Sequence, residues 1–221
     1  MSKLIGNRYL VGLVLFLNLP GFANSVSGTV TSSAKITVRA FKYAPILPET
    51  WQAAQNVATR IFDRTGIETV WLDCSLAADG QHLIPDCALP ATPTDIILRL
   101  VPTSQATRAH FGDATLGIAA PSEKNTTASA SVFCDRVEKL SKGGHASLAV
   151  ILGHAAAHEI GHLLLGSNSH SPFGLMRGSW SRQDLQRASG GELLFTPSQG
   201  LLMRQKVLER SESAGTVPRS R

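Results

Sequence analysis

Charged and aromatic residues are scarce in this chain. Of its 221 residues only 17% are charged and 6% aromatic, and the formal net charge is +5. No basic stretch is interleaved with aromatic side chains, so the composition gives no support for nucleic-acid binding. The 43% of hydrophobic residues is typical of one globular domain that buries a sizeable core.

The apolar run 9–19 near the N-terminus is too short to span a membrane stably. Lys3 and Arg8 precede it, and a proline, a glycine and small residues follow it. This arrangement predicts a secretory signal peptide over residues 1–23 and export to a secreted or periplasmic location. An uncleaved N-terminal anchor is the alternative. Residues 24–33 are rich in Ser, Thr and Gly and are predicted to be a flexible lead-in.

Cysteine is also rare, with only Cys74, Cys87 and Cys134 present and no C-x-x-C spacing. In an exported chain, cysteines usually pair. Cys74 and Cys87 lie in one segment between two predicted strands, so we predict a disulfide between them. Cys134 is then predicted to be a small buried residue of a strand.

Apolar periodicity predicts alternating strands and helices, which favours an α/β fold. The strands are predicted over 35–43, 67–72, 95–101, 115–119 and 130–137, and the helices over 48–64, 155–165 and 197–210. Residues 34–210 are predicted to form one domain, and residues 211–221 a disordered tail.

One stretch concentrates residues that bind metals. His158, Glu159 and His162 form the pattern H-E-x-x-H. On a helix, residues four apart share one face, so both imidazoles can bind one zinc ion while the glutamate reaches a water. Gly166 is suited to end the helix, and a chain that reverses there can return His170 as a third ligand.

Two alternatives to this ligand set are open. His154 lies one turn before His158, so the metal pair is either 154/158 or 158/162, because two turns of helix cover about 10.8 Å. The position of Glu159 and the downstream histidine favour 158/162. A downstream acid, Glu192, is the other candidate for a third ligand, as in thermolysin-like sites.

The stretch resembles the metzincin clan of zinc metallopeptidases, whose signature is H-E-x-x-H-x-x-G-x-x-H followed by a methionine-containing turn. Here the spacing is one residue longer on each side of the glycine. The resemblance implies that His158, His162 and His170 bind one catalytic Zn²⁺, that Glu159 is the general base, and that Met176 is the turn methionine.

The same resemblance implies an α/β (α+β) fold: a twisted five-stranded mixed sheet, two main helices with zinc on the second, and a small irregular C-terminal region with a last helix. Its fourth strand would be an antiparallel edge above the cleft, where an extended substrate binds. The residues of that edge are Leu116, Gly117, Ile118 and Ala119. The cysteine-bound second zinc of the archaemetzincin group is not expected, because no C-x-x-C occurs.

The predicted function is therefore that of a secreted zinc-dependent metalloendopeptidase. We expect it to act as a monomer on peptide or protein substrates, without a nucleic-acid partner and without a stable membrane span after signal cleavage. The alternative is an exported metzincin-like protein that binds zinc and a partner but has no peptidase activity.

Overall fold

The structure, a computed structural model, describes residues 33–75, 84–104, 112, 115–120 and 127–215. The predicted signal peptide, nearly all of the lead-in and residues 216–221 lie outside the described residues. The strands are β1 (Ala34–Lys42), β2 (Ile67–Asp73), β3 (Asp95–Val101), β4 (Gly117–Ala120) and β5 (Ser129–Phe133). The helices are α1 (Pro48–Asp63), α2 (Cys134–Ser141), α3 (Leu148–Leu165), α4 (Arg182–Ser189) and α5 (Pro197–Gly215), with a 3-10 turn at Pro85–Ala88.

The strands form one mixed sheet in the order β2-β1-β3-β5-β4. The first four strands in this order are parallel, and β4 runs antiparallel to β5 at the edge. The prediction of an α/β fold with a five-stranded mixed sheet is confirmed. The edge strand, predicted over 115–119, runs over Gly117–Ala120: pairing extends through Ala120 and leaves Leu116 just before the strand.

One face of the sheet carries the main core. Its alternate side chains are apolar and pack against α1 and α3, because successive residues of a strand point to opposite faces. Alpha helix α1 contributes Trp51, Ala58 and Phe62 from a single apolar stripe. The fully buried strand residues on this face include Ile36, Val38, Ile96, Leu98, Leu100 and Val132.

The opposite face is closed by a buried ion pair and a disulfide. Arg39 Nη2 lies 2.6 Å from Asp95 Oδ2, and the same guanidinium donates to the carbonyl of Leu89 at 2.6 Å. A disulfide joins Cys74 to Cys87, with their Cα atoms 5.5 Å apart. The disulfide holds the segment whose backbone carbonyls accept hydrogen bonds from Arg39. The buried guanidinium therefore has an ionic partner in Asp95 and hydrogen-bond acceptors in this segment.

Three predicted boundaries are wrong. The helix that carries His158 begins at Leu148 and not at residue 155. The fifth strand ends at Phe133, and Cys134 and Val137, predicted to lie in a strand, belong to α2. Both side chains are nevertheless buried. Over so short a segment, the spacing of apolar residues fits the period of a helix as well as that of a strand. The last helix continues past residue 210 to Gly215, into the predicted disordered tail.

Helix α4 lies in the region predicted to be irregular. It begins at a capping box, in which Ser181 accepts from the Asp184 backbone N–H and the Asp184 carboxylate accepts from the Ser181 backbone N–H. A serine followed three residues later by an acidic residue is a sequence signal for the start of a helix, and Ser181 and Asp184 have this spacing.

Among the described residues, α3 is the one helix that is long and apolar enough to cross a membrane. Most of it is buried among the other elements, which is the position of a core helix.

Candidate metal centre

Helix α3 positions the H-E-x-x-H residues inside the protein. The Ser147 hydroxyl caps its N-terminus by accepting from the Val150 N–H. The helix is buried from Ile151 to Leu164, and Gly166 follows it with φ +106°, a conformation that favours glycine. His158, Glu159 and His162 are all less than a tenth exposed, so each is held by the surrounding packing.

Three imidazoles converge at one point. His162 Nε2 lies 3.0 Å from His158 Nε2 and 3.2 Å from His170 Nε2. In the described residues, these three histidines are the group of metal-binding type whose ligand atoms all lie within 4.8 Å of one another. Nitrogens bound tetrahedrally to zinc at about 2.0–2.1 Å are separated by about 3.3 Å, so the spacing fits one ion.

The outer nitrogens show which atoms are free to bind a metal. His158 Nδ1 lies 2.9 Å from the Leu175 carbonyl oxygen, which can only accept, so Nδ1 carries the proton. His162 Nδ1 lies 2.9 Å from Ser169 Oγ and near the Gly166 carbonyl, and a proton on Nδ1 satisfies both. Two unprotonated Nε2 atoms then face each other at 3.0 Å, an arrangement that a cation between them stabilises.

The electrostatics favour the neutral form of His158 and His162, which is the ligand form of histidine. Burial lowers the pKa of His158 to about 4, with the neighbouring histidines acting in the same direction and the Leu175 hydrogen bond opposing them. Burial and the adjacent His170 also lower the pKa of His162. His170 comes from the loop after α3 and is exposed, and its ring packs beside the backbone of Gly178.

Glu159 is 5% exposed and faces the edge strand. Burial raises the pKa of its carboxyl to about 8. A β-carbon added to Gly117 would lie 2.7 Å from Glu159 Cγ and 2.8 Å from its Cδ. Glycine at position 117 therefore provides the space that the glutamate side chain occupies.

Met176 is fully buried beneath the histidines. The turn that carries it is closed by the Ser171 N–H, which donates to the Met176 carbonyl at 2.8 Å. A β-carbon on Gly161 would lie 2.8 Å from Met176 Sδ, so the absence of a side chain at Gly161 lets the turn pack directly under α3.

A cleft of about 1180 Å³ opens over the three histidines. Residues 116–120 of the edge strand line one side of it, and residues 177–180 after the methionine turn line another. Helix α2 adds Arg136, Lys139 and Leu140. The predicted substrate edge thus borders the same cleft as the histidines and Glu159.

The two alternative ligands lie elsewhere. His154 is buried, its Nδ1 donates to the Val150 carbonyl at 2.8 Å, and its ring is not part of the three-histidine group. Glu192 is exposed beside Gly190 and is also outside that group.

Sequence reasoning missed the residues that hold the histidines from outside. These are the Leu175 carbonyl, the Ser169 hydroxyl and the Trp180 indole, which also donates to Leu175 at 3.1 Å. Ser169 lies directly before His170, and its side chain was visible as a hydrogen-bonding group. The other two depend on the path of the chain after His170, for which the sequence holds no signal.

Comparison with known proteins finds similarity to solved structures. No protein-family model matches this chain, and no curated protein sequence does. Among solved structures, an archaemetzincin from Methanopyrus kandleri is similar over 82% of this chain and 99% of that one, with 16% sequence identity and a TM-score of 0.48.

Proposed function

We propose that this protein is an exported zinc metallopeptidase that hydrolyses peptide bonds with Glu159 as its general base. The observation that carries the proposal is the convergence of three histidine Nε2 atoms beside a buried glutamate, in a cleft bordered by a sheet edge. The donor set consists of neutral imidazoles, which suit zinc. Three protein ligands and an adjoining cleft are typical of a catalytic site, whereas structural zinc sites are closed by four ligands.

His158, His162 and His170 would hold the ion. When bound, zinc supplies a Lewis acid that lowers the pKa of a water molecule and polarises a carbonyl group. Burial lowers the pKa of His158 and of His162, which favours the neutral form that binds a metal.

Glu159 accepts the proton of the attacking water and delivers it to the leaving amine. A group that takes and returns a proton works best when its pKa lies near the operating pH. Burial raises the pKa of Glu159 to about 8, and a cation held by the adjoining histidines would lower it towards the operating pH, where the carboxylate can accept a proton. Its contact with Gly117 limits the positions that the carboxylate can adopt.

Substrate binding is assigned to β4. Among the described strands, β4 pairs with β5 alone, so its other side can offer N–H and C=O groups to an extended peptide. The cleft above α3 is large enough for several peptide residues. The disulfide supports export, because such bonds persist in oxidising compartments.

The test compares the parent with Glu159→Gln and with a matched control, Glu192→Gln, which makes the same change at an exposed carboxylate. A peptide library is digested with and without a zinc chelator, and zinc content is measured by mass spectrometry. We expect cleavage by the parent that the chelator abolishes and added zinc restores. Glu159→Gln should keep zinc and lose about 10²–10⁴-fold in rate, and Glu192→Gln should match the parent.

Two results would overturn the proposal. Cleavage by Glu159→Gln at the parental rate would remove the glutamate from the mechanism. Stoichiometric zinc in a parent that cleaves no peptide would instead favour a zinc-binding module without peptidase activity.

A further inference from the structure

The carbonyl of Leu175 receives two hydrogen bonds from the metal centre and its surroundings. His158 Nδ1 lies 2.9 Å from this oxygen, and Trp180 Nε1 lies 3.1 Å from it. A carbonyl oxygen has two lone pairs, so both N–H groups can be satisfied at once. The histidine and the tryptophan are therefore linked through one acceptor atom.

The peptide that carries this carbonyl is held from both ends. The Leu175 N–H donates to the Leu194 carbonyl at 2.8 Å, and the carbonyl of the next residue, Met176, accepts from the Ser171 N–H at 2.8 Å. The preceding residue, Gly174, has φ +76°. The Trp180 N–H adds a restraint on the carbonyl oxygen itself.

Trp180 also contacts the histidine ring directly. The two rings meet edge to face, with centroids 5.8 Å apart and planes at 81°. The indole also meets the ring of His154 edge to face, with centroids 6.3 Å apart and planes at 85°. Packing of this kind holds His158 in one rotamer, and the shared carbonyl holds it in one tautomer.

His162 is supported differently. Its Nδ1 contacts the hydroxyl of Ser169, which can donate or accept, so that contact alone does not define a tautomer. The acceptor-only carbonyl of Gly166 is 3.5 Å from His162 Nδ1, whereas that of Leu175 is 2.9 Å from His158 Nδ1, so the proton position is defined more tightly for His158. We propose that Trp180 is a positioning residue: its indole N–H holds the Leu175 carbonyl so that His158 keeps the Nδ1–H tautomer and directs Nε2 towards the metal.

This inference rests on the zinc site of the proposed function but not on peptide hydrolysis. Loss of an outer hydrogen-bond partner of a metal ligand typically costs about 10–100-fold in metal affinity. Because the hydrogen bond from His158 itself remains, we expect an effect near the lower end of that range.

The variant Trp180→Phe removes the N–H and keeps a packed aromatic ring. The control is Trp71→Phe, which deletes the same kind of bond far from the cleft: Trp71 Nε1 donates to Thr59 Oγ1 at 2.9 Å. Zinc affinity is measured by competition with a chelator, and the visible spectrum of the cobalt-substituted protein reports the ligand field. Trp180→Phe should bind zinc about 10-fold more weakly and show an altered cobalt spectrum, whereas Trp71→Phe should match the parent.

The tautomer of His158 can be measured on the metal-free protein, independently of any enzymatic activity. Nitrogen-15 NMR of the imidazoles should show His158 as the Nδ1–H tautomer in the parent and as a mixture in Trp180→Phe. An Nε2–H tautomer in the parent, or a Trp180→Phe protein with parental zinc affinity and tautomer, would overturn the inference. If the parent binds zinc but cleaves no peptide, the peptidase proposal is wrong and the inference about Trp180 is unaffected.

Discussion

At the scale of single residues, α3 carries three histidines one turn apart that have different surroundings. His158 and His162 direct Nε2 towards His170, whereas His154 is enclosed by Trp180 and the backbone of its own helix. Burial is the main cause of the lowered pKa of His154, as it is for the other two. Spacing on the helix therefore does not distinguish a metal ligand from a packing residue. The distinguishing feature is whether the ring converges with that of His170.

The ligand set can be tested by removing one histidine at a time. His170→Ala should weaken zinc binding by more than the roughly 10–100-fold typical of losing an outer partner, since one of three proposed ligands is gone. His154→Ala should retain stoichiometric zinc. Zinc content by mass spectrometry and affinity by chelator competition decide between them, and the reverse outcome would show that the ligand set is wrong.

Gly117 has no β-carbon, and this leaves space for the side chain of Glu159. Alanine there would place a β-carbon 2.6 Å from the Ser131 carbonyl and 2.7 Å from Glu159 Cγ, so either the strand or the glutamate must move. We expect Gly117→Ala to keep zinc and to lose about 10²-fold in kcat/KM, the scale of effect of a 1 Å misplacement.

The control for this prediction is Gly112→Ala, where a β-carbon meets nothing within 4 Å. Peptide turnover and zinc content are measured for both variants. Parental turnover by Gly117→Ala would mean that the glutamate tolerates displacement or has no catalytic part.

At the scale of elements, α3 packs closely against its neighbours at two positions where the residue is glycine. Gly161 lies against the methionine turn, and Gly153 lies against α1, where a β-carbon would be 2.5 Å from the Ala54 carbonyl oxygen. The backbones of α1 and α3 therefore approach each other closely at Gly153. Buried side chains of α3 also pack in the core with those of the sheet.

Gly153→Ala tests this packing. Alanine favours the helix by roughly 0.5–1 kcal/mol, but the overlap with backbone atoms of α1 costs about 1–3 kcal/mol. We expect a net loss of roughly 1–2 kcal/mol in the free energy of unfolding, measured by urea denaturation. At Gly190 a β-carbon would be 3.6 Å from its nearest neighbour, so Gly190→Ala should be neutral or slightly stabilising. Equal stability of the two variants would contradict the packing argument.

At the scale of the whole molecule, the sheet separates two kinds of stabilisation. Its apolar face is covered by α1 and α3 and holds the main core. Its other face holds the pair Arg39–Asp95, and the disulfide ties the covering segment to the end of β2. Asp95 neutralises the charge of Arg39, and the carbonyls of residues 87, 89 and 90 accept hydrogen bonds from the same guanidinium.

Removal of the disulfide by the double change Cys74→Ser and Cys87→Ser should lower the free energy of unfolding. The two cysteines are 13 residues apart, and a loop of that length corresponds to about 3 kcal/mol on chain-entropy reasoning. Urea denaturation with and without a reductant measures the effect. The parent should lose this stability on reduction and the double variant should be insensitive; a parent unaffected by reduction would contradict the prediction.

The sequence by itself determined the local features of this protein. Helical periodicity places His158 and His162 on one helix face, and a nearly continuous apolar run defined β3 to the residue. The same kind of reasoning failed where two periods fit a short segment, as at Cys134 and Val137, and where a helix start was present but overlooked, as at Ser181.

Tertiary structure alone decided the surroundings of the site. The contact of Gly117 with Glu159 joins an edge strand to a helix, and the Leu175 carbonyl meets His158 through a turn far along the chain. These contacts depend on strand order and on the path of the loops, which no local pattern encodes. Spacing along the chain can place chemical groups on one helix face, but only packing between distant segments determines their protonation, their orientation and their access to a substrate.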